Sequence, residues 1–160
     1  MSHVQDTQMV NAPIAPTWAA VSRMGAVQDW HPNVARALVL TANDTGIGAS
    51  RRVEFRDGNS LVETVVKESE LDFTTAEMTG SPLLEHALVT IRTKERSTDT
   101  TEVTFSIDYG LKYGPIGRMM DAVMMRRLLR KAFGMALDGL SYHLETGKLV
   151  TDSIPDRPVE

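Results

Sequence analysis

The chain has 160 residues, 42% of them hydrophobic and 24% charged, which is the balance of one globular domain. It contains no cysteine, which excludes disulfides, thiol chemistry and Cys-ligated metal centres. Its net charge of −4 argues against nucleic acid as the main partner, because phosphate-tracking surfaces are basic.

The N-terminal stretch, 4–10, alternates polar and apolar residues and is expected to form a first strand. Asn11-Ala12-Pro13 turns the chain. Pro13 and Pro16 lie near the start of a short helix, where a missing N–H costs little. That helix carries Trp18, Val21 and Met24 and stops at Gly25. A second short helical turn, 26–30, is closed by His31-Pro32, since the residue before a proline avoids the helical region.

From Asn33 to Lys112 the texture changes to runs of Val, Thr, Leu, Ile and Phe separated by turn residues. Strands are predicted at 34–43, 49–57, 60–69, 72–79, 84–96 and 100–112. Asp57-Gly58 marks a tight hairpin. Short connections between consecutive strands imply an antiparallel meander with one apolar face. Val103, Phe105, Ile107, Tyr109 and Leu111 share such a face, as do Ala87, Val89 and Ile91. Arg51 travels with Val53 and Phe55, and Glu63 with Leu61 and Val65. If the apolar faces turn inward, Arg51 and Glu63 either pair inside a cavity or lie near strand ends in water.

Pro115 opens a long helix predicted to run to about residue 146, with Gly147 as its stop. Met119, Ala122, Arg126, Leu129, Phe133, Ala136, Leu140 and His143 fall on one stripe of it. Met119, Met120, Met124, Met125 and Met135 are five of the nine methionines, either core filler or the wall of an adaptable pocket. Arg126, within the stripe, either enters the interior to meet a carboxylate such as Glu63 or bends outward to water. Arg127, Arg130 and Lys131 form a neighbouring basic face. Residues 148–160 carry two prolines and no apolar period and are expected to be a loose tail behind a domain of residues 1–147.

This order of elements predicts an α+β helix-grip fold. A curved antiparallel sheet of six to seven strands wraps the terminal helix, with two short helices after the first strand. One helix cannot cover such a sheet fully, so an apolar hollow is expected between them.

Several features resemble the polyketide cyclase/dehydrase-like branch of the START/Bet v 1 (SRPBCC) superfamily. They are Asn11-Ala12-Pro13 before a Trp-bearing helix, Trp30-His31-Pro32, Gly46-Ile47-Gly48-Ala49-Ser50-Arg51, Leu61-Val62-Glu63, Ser81-Pro82-Leu83 and the long helix through Gly139-Leu140. The likeness spans about residues 4–146, and the order of the motifs carries it. It implies a cavity for lipids, sterols, polyketides or similar compounds and sets Trp30, Arg51 and Glu63 near that cavity. Ala87 stands where many relatives carry an aromatic residue, which implies a larger cavity.

The expected ligand-facing set is Trp30, Arg51, Val53, Phe55, Glu63, Val65, Ala87, Val89, Phe105, Tyr109, Met125, Arg126, Leu129 and Phe133. The functional expectation is binding or transport of a small hydrophobic molecule. The alternatives are a cyclase or dehydratase on a polyketide-like substrate, with His31, Glu63 and Tyr109 as its candidate catalytic groups, and a protein-interaction or quinone-handling module. The four histidines show no metal-ligand spacing and no glycine-rich phosphate loop is present, so neither metal nor cofactor is expected. No apolar run approaches the ~20 residues of a membrane span, and no secretory signal order is seen. A cytoplasmic location is expected, and a homodimer is compatible with the sequence.

Overall fold

The computed structural model describes residues 2–112, 114–120 and 124–154. Seven strands form one antiparallel sheet: β1 (Ser2–Val10), β2 (Val34–Val39), β3 (Ser50–Phe55), β4 (Ser60–Ser69), β5 (Phe73–Thr79), β6 (Leu84–Ser97) and β7 (Thr100–Leu111). Their order is β1-β7-β6-β5-β4-β3-β2. From β2 to β7 each strand pairs with its sequence neighbour, and β1 closes against β7. The first and second strands therefore sit at opposite edges. The chain crosses between them through α1 (Ile14–Ser22), a 3₁₀ turn (Met24–Ala26) and α2 (Val27–Trp30). Helical segments α3 (Gly114–Met120) and α4 (Arg126–Thr146) follow β7.

The local chemistry explains these elements. Gly58 adopts φ +92° in the β3–β4 turn, a conformation that favours glycine. Thr101, Val103, Phe105, Ile107 and Tyr109 alternate inward along β7, all buried, while Asp108 points outward and pairs with His3 at 2.7 Å. Thr17 caps back onto the Pro13 carbonyl at 2.9 Å, and Trp18 and Val21 bury the inner side of α1. At the end of α4, Gly147 takes φ +71° and its N–H reaches the His143 carbonyl.

The main core lies where α1, α2 and the C-terminal half of α4 meet the sheet. Trp30 is its centre. Its ring meets Phe105 edge to face at 5.8 Å, and Phe105 meets Phe133 in the same way at 6.0 Å. The indole N–H donates to the Ala20 carbonyl at 3.0 Å. Gly139 of α4 sits directly on the Trp30 carbonyl, where an added Cβ would lie only 2.1 Å from that oxygen. This close crossing lets α4 settle on α2.

Two expectations about the C-terminal region differ from the structure. The helix predicted over 115–146 is described as α3 and α4, with 121–123 outside the described residues, and Met124 and Met125 form a wider π-type turn leading into α4. The described side chains of α3 bury little: Ile116 and Met119 both face water. Leu129, Phe133, Ala136 and Leu140 face inward as predicted, but Met119 and Arg126 face out. Ala122 lies outside the described residues.

The tail expected to be loose begins pinned. The Val150 N–H donates to the Asp29 carbonyl at 2.9 Å, its side chain is buried, and His143 Nδ1 lies 2.7 Å from the Lys148 carbonyl. Residues 155–160 lie outside the described part.

Candidate functional site

The N-terminal half of α4 does not close on the sheet. Between Leu128, Leu129, Ala132, Phe133 and Ala136 on the helix and the concave face of β3–β7 lies a cavity of about 540 Å³. Its wall is mostly carbon: Val27, Trp30, Val34, Val53, Phe55, Leu61, Met78, Val89, Ile91, Phe105 and Ile107. The exposed lining residues Arg56, Asp57, Asn59, Pro82, Leu83 and Leu128 frame its mouth. The volume falls within the range of small-molecule sites.

One part of the wall is polar. Arg51 and Glu63 face each other across β3 and β4. They are only 8% and 9% exposed, and Arg51 Nε donates to Glu63 Oε2 at 2.7 Å. Arg51 Nη1 also donates to the Met24 carbonyl at 3.1 Å, so the guanidinium is held from two sides. Burying these charges is tolerable because they neutralise each other and the guanidinium is further hydrogen-bonded.

His31 stands beside this pair, stacked on Trp30 at 5.8 Å. Its pKa is pushed down from 6.5 to about 4, chiefly because burial disfavours the charged ring; Glu63 acts in the opposite sense and Arg51 reinforces the fall. The ring is therefore neutral at pH 7. The Asn33 N–H donates to Nδ1 at 3.2 Å, which assigns the proton to Nε2. His31 thus presents an N–H donor, and it cannot accept a proton at Nε2 without changing tautomer.

Of the residues expected to face the ligand, Trp30, Arg51, Val53, Phe55, Glu63, Val89, Phe105, Leu129 and Phe133 line the cavity, and His31 joins them. The other five lie elsewhere. Val65 packs with Met24 and Ala49, because the 46–49 loop hydrogen-bonds to it and covers that part of β4. Ala87, Tyr109 and Met125 form a second cluster with Val4 and Ile107. The room left by the small Ala87 is taken by that cluster, so it does not enlarge the cavity. Arg126 is exposed, and Glu63 is already held by Arg51.

Sequence reasoning missed the mouth. Asp57 read only as part of a turn, and Ser81-Pro82-Leu83 only as a family mark. Asn59 and Leu128 were not singled out. The sole local signal was the Leu128-Leu129 pair, two adjacent apolar side chains about 100° apart on a helix.

A concave seven-stranded sheet gripping a terminal helix across an apolar hollow defines a START/Bet v 1-like helix-grip protein. Residues 1–145 match the family described as polyketide cyclase/dehydrase and lipid transport, and the chain belongs to that family. The fold is similar to a START superfamily protein from Mycobacterium smegmatis, with TM-score 0.76 and 14% identity over 91% of this chain and 99% of that one. It is also similar to major latex-like protein 151 from Panax ginseng, with TM-score 0.67 and 13% identity over 89% and 97%. The di-domain ARO/CYC protein BexL of the BE-7585A biosynthetic pathway matches with TM-score 0.74 and 12% identity over 91% of this chain and 47% of its own. At these identities the likeness shows the fold. No curated protein matches by sequence.

Proposed function

We propose that this protein binds and carries a small, mostly apolar molecule in the cavity under α4. The observation that carries the proposal is the hollow of about 540 Å³ with a mostly carbon wall and a polar corner of Arg51, Glu63 and His31. That corner is nearly neutral as a whole: Arg51 cancels Glu63, and His31 is uncharged at pH 7. It therefore suits a ligand with one uncharged polar group, a hydroxyl or carbonyl, better than a free carboxylate. The His31 Nε2–H is a ready donor to such an oxygen. The family description, which includes lipid transport, supports this reading. Native mass spectrometry of gently purified protein tests it, together with titration of a neutral fluorescent apolar probe. Retention or saturable binding that Ala132→Phe abolishes is expected. Failure of every apolar probe to bind the folded wild type would end the proposal.

A second reading, a cyclase or dehydratase on a polyketide-like substrate, is favoured by one observation, the neutral His31 on the cavity wall. In its present tautomer it would act by donating to a substrate carbonyl, steadying negative charge as an enol forms. Tyr109 lies in the second cluster and does not line the cavity, so Glu63 is the remaining acid/base candidate. Turnover of a poly-β-carbonyl substrate that His31→Phe leaves unchanged would remove this reading.

A further inference from the structure

An amphipathic helix hides its apolar stripe and shows its polar one. At the start of α4 the outward stripe breaks this rule. Leu128 lies beside Arg127 and Lys131, and these three and Met124 just before them are all exposed. Met124 is 65% and Leu128 60% exposed, and on α3 Ile116 and Met119 are 69% and 77% exposed. Four large apolar side chains in water within so short a segment are more than scattered surface hydrophobics.

Charge marks the same segment. Between Lys112 and Lys131 the sequence carries six cations, Lys112, Arg118, Arg126, Arg127, Arg130 and Lys131, against the single acid Asp121. The whole chain is nonetheless net −4. Apolar tips ringed by cations on an otherwise acidic protein complement an interface that is apolar inside and anionic at its surface. A second copy of this face is a poor fit, since pairing would set like charges against each other.

Leu128 belongs to both regions. It is exposed on the outer side and also lines the cavity mouth, as Leu83 does. An apolar side chain of the outer face is thus shared with the cavity. We propose that α3 and the first two turns of α4 dock the protein onto an anionic lipid bilayer, with the cavity mouth facing the membrane. Its use in loading a ligand rests on the cavity reading above; the docking itself does not.

The test is cosedimentation of the full chain with vesicles of phosphatidylcholine alone or mixed with phosphatidylserine, at low and high salt. Partition onto the phosphatidylserine vesicles is expected, and should weaken at high salt. Arg127→Glu with Lys131→Glu should reduce it roughly tenfold or more. Met119→Ser with Met124→Ser should weaken binding while its salt dependence persists. These residues do not line the cavity, so binding of an apolar probe without vesicles should be the same in all variants. Wild-type protein that stays in the supernatant with both vesicle types overturns the proposal, and so does a charge-reversed variant that binds as well as wild type. Binding to soluble polyglutamate without partition onto vesicles overturns it as well and assigns the face to an acidic protein. Loss of probe binding with vesicle binding intact would refute the cavity reading alone.

Discussion

The two halves of α4 belong to one continuous helix and do opposite things. From Ala136 to Tyr142 the helix is packed solid: Ala136, Leu137, Gly139, Leu140, Ser141 and Tyr142 are all buried, and Gly139 touches the backbone of α2. From Arg126 to Phe133 the helix roofs the cavity: Leu129 and Phe133 are only half-buried, Phe133 reaching Phe105, and Leu128 is open to water. The difference comes from what lies below. The C-terminal half rests on α1 and α2, a second layer of side chains centred on Trp30. The N-terminal half spans the open curve of the sheet, where Phe133 reaches Phe105 but a hollow remains beside that contact. Close packing in one half anchors the helix so that the other half can stay over an empty volume.

Substitutions that treat the two halves alike should break this contrast most sharply at the crossing. Gly139→Ala sets a methyl group against the Trp30 carbonyl and Pro32. A loss of more than about 3 kcal/mol is expected, above the usual overpacking cost, because the neighbour is backbone and cannot rotate away. Urea unfolding measures it, and a stable Gly139→Ala protein would show that the crossing is looser than the structure has it.

Leu140→Ala empties a fully buried site and should cost about 3 kcal/mol. Leu128→Ala, twelve positions earlier on the same helix, should change stability by less than about 0.5 kcal/mol. Equal losses at the two sites would erase the distinction between the halves.

The polar corner sharpens the comparison through pH. The folded-state pKa of His31 lies near 4, whereas the unfolded chain titrates near 6.5. Between those values the unfolded state binds more protons, so stability is whole above pH 6.5 and falls as the pH drops toward 4. The loss should be on the order of 2 kcal/mol, since the ring is partly open to the cavity. His31→Gln should flatten this part of the pH–stability curve; an unchanged slope would mean that His31 is not the group responsible.

Ala132→Phe should also change stability little. A ring placed in a void should shift unfolding by no more than about 1 kcal/mol in either direction. It should nevertheless abolish apolar probe binding. Binding that survived would locate the probe away from the hollow.

Much of the sheet was legible because period-2 patterning leaves little choice of face. Val53, Phe105 and Ile107 turn inward as the alternation requires, and Arg51 and Glu63 follow their strand neighbours into the interior. The π-type turn at Met124–Met125 was not legible. A wider turn has no residue signature, and the outward placement of Met119 and Arg126 was not legible either. Nor did Ala87 reveal its surroundings. A small inward residue means space only where its neighbours leave space, and here Tyr109 and Met125 share that cluster.

By itself the sequence determined the order and the faces of the elements: seven strands, two short helices between the first and second, and a terminal helix with an apolar side. Those properties follow from spacing along the chain and are local. Tertiary structure alone decided that Arg51 meets Glu63 and His31 beside Trp30, that Gly139 seats α4 on α2, and that a hollow remains under the other end of that helix. A cavity is the difference in position between two surfaces distant in sequence, and no local pattern records that distance.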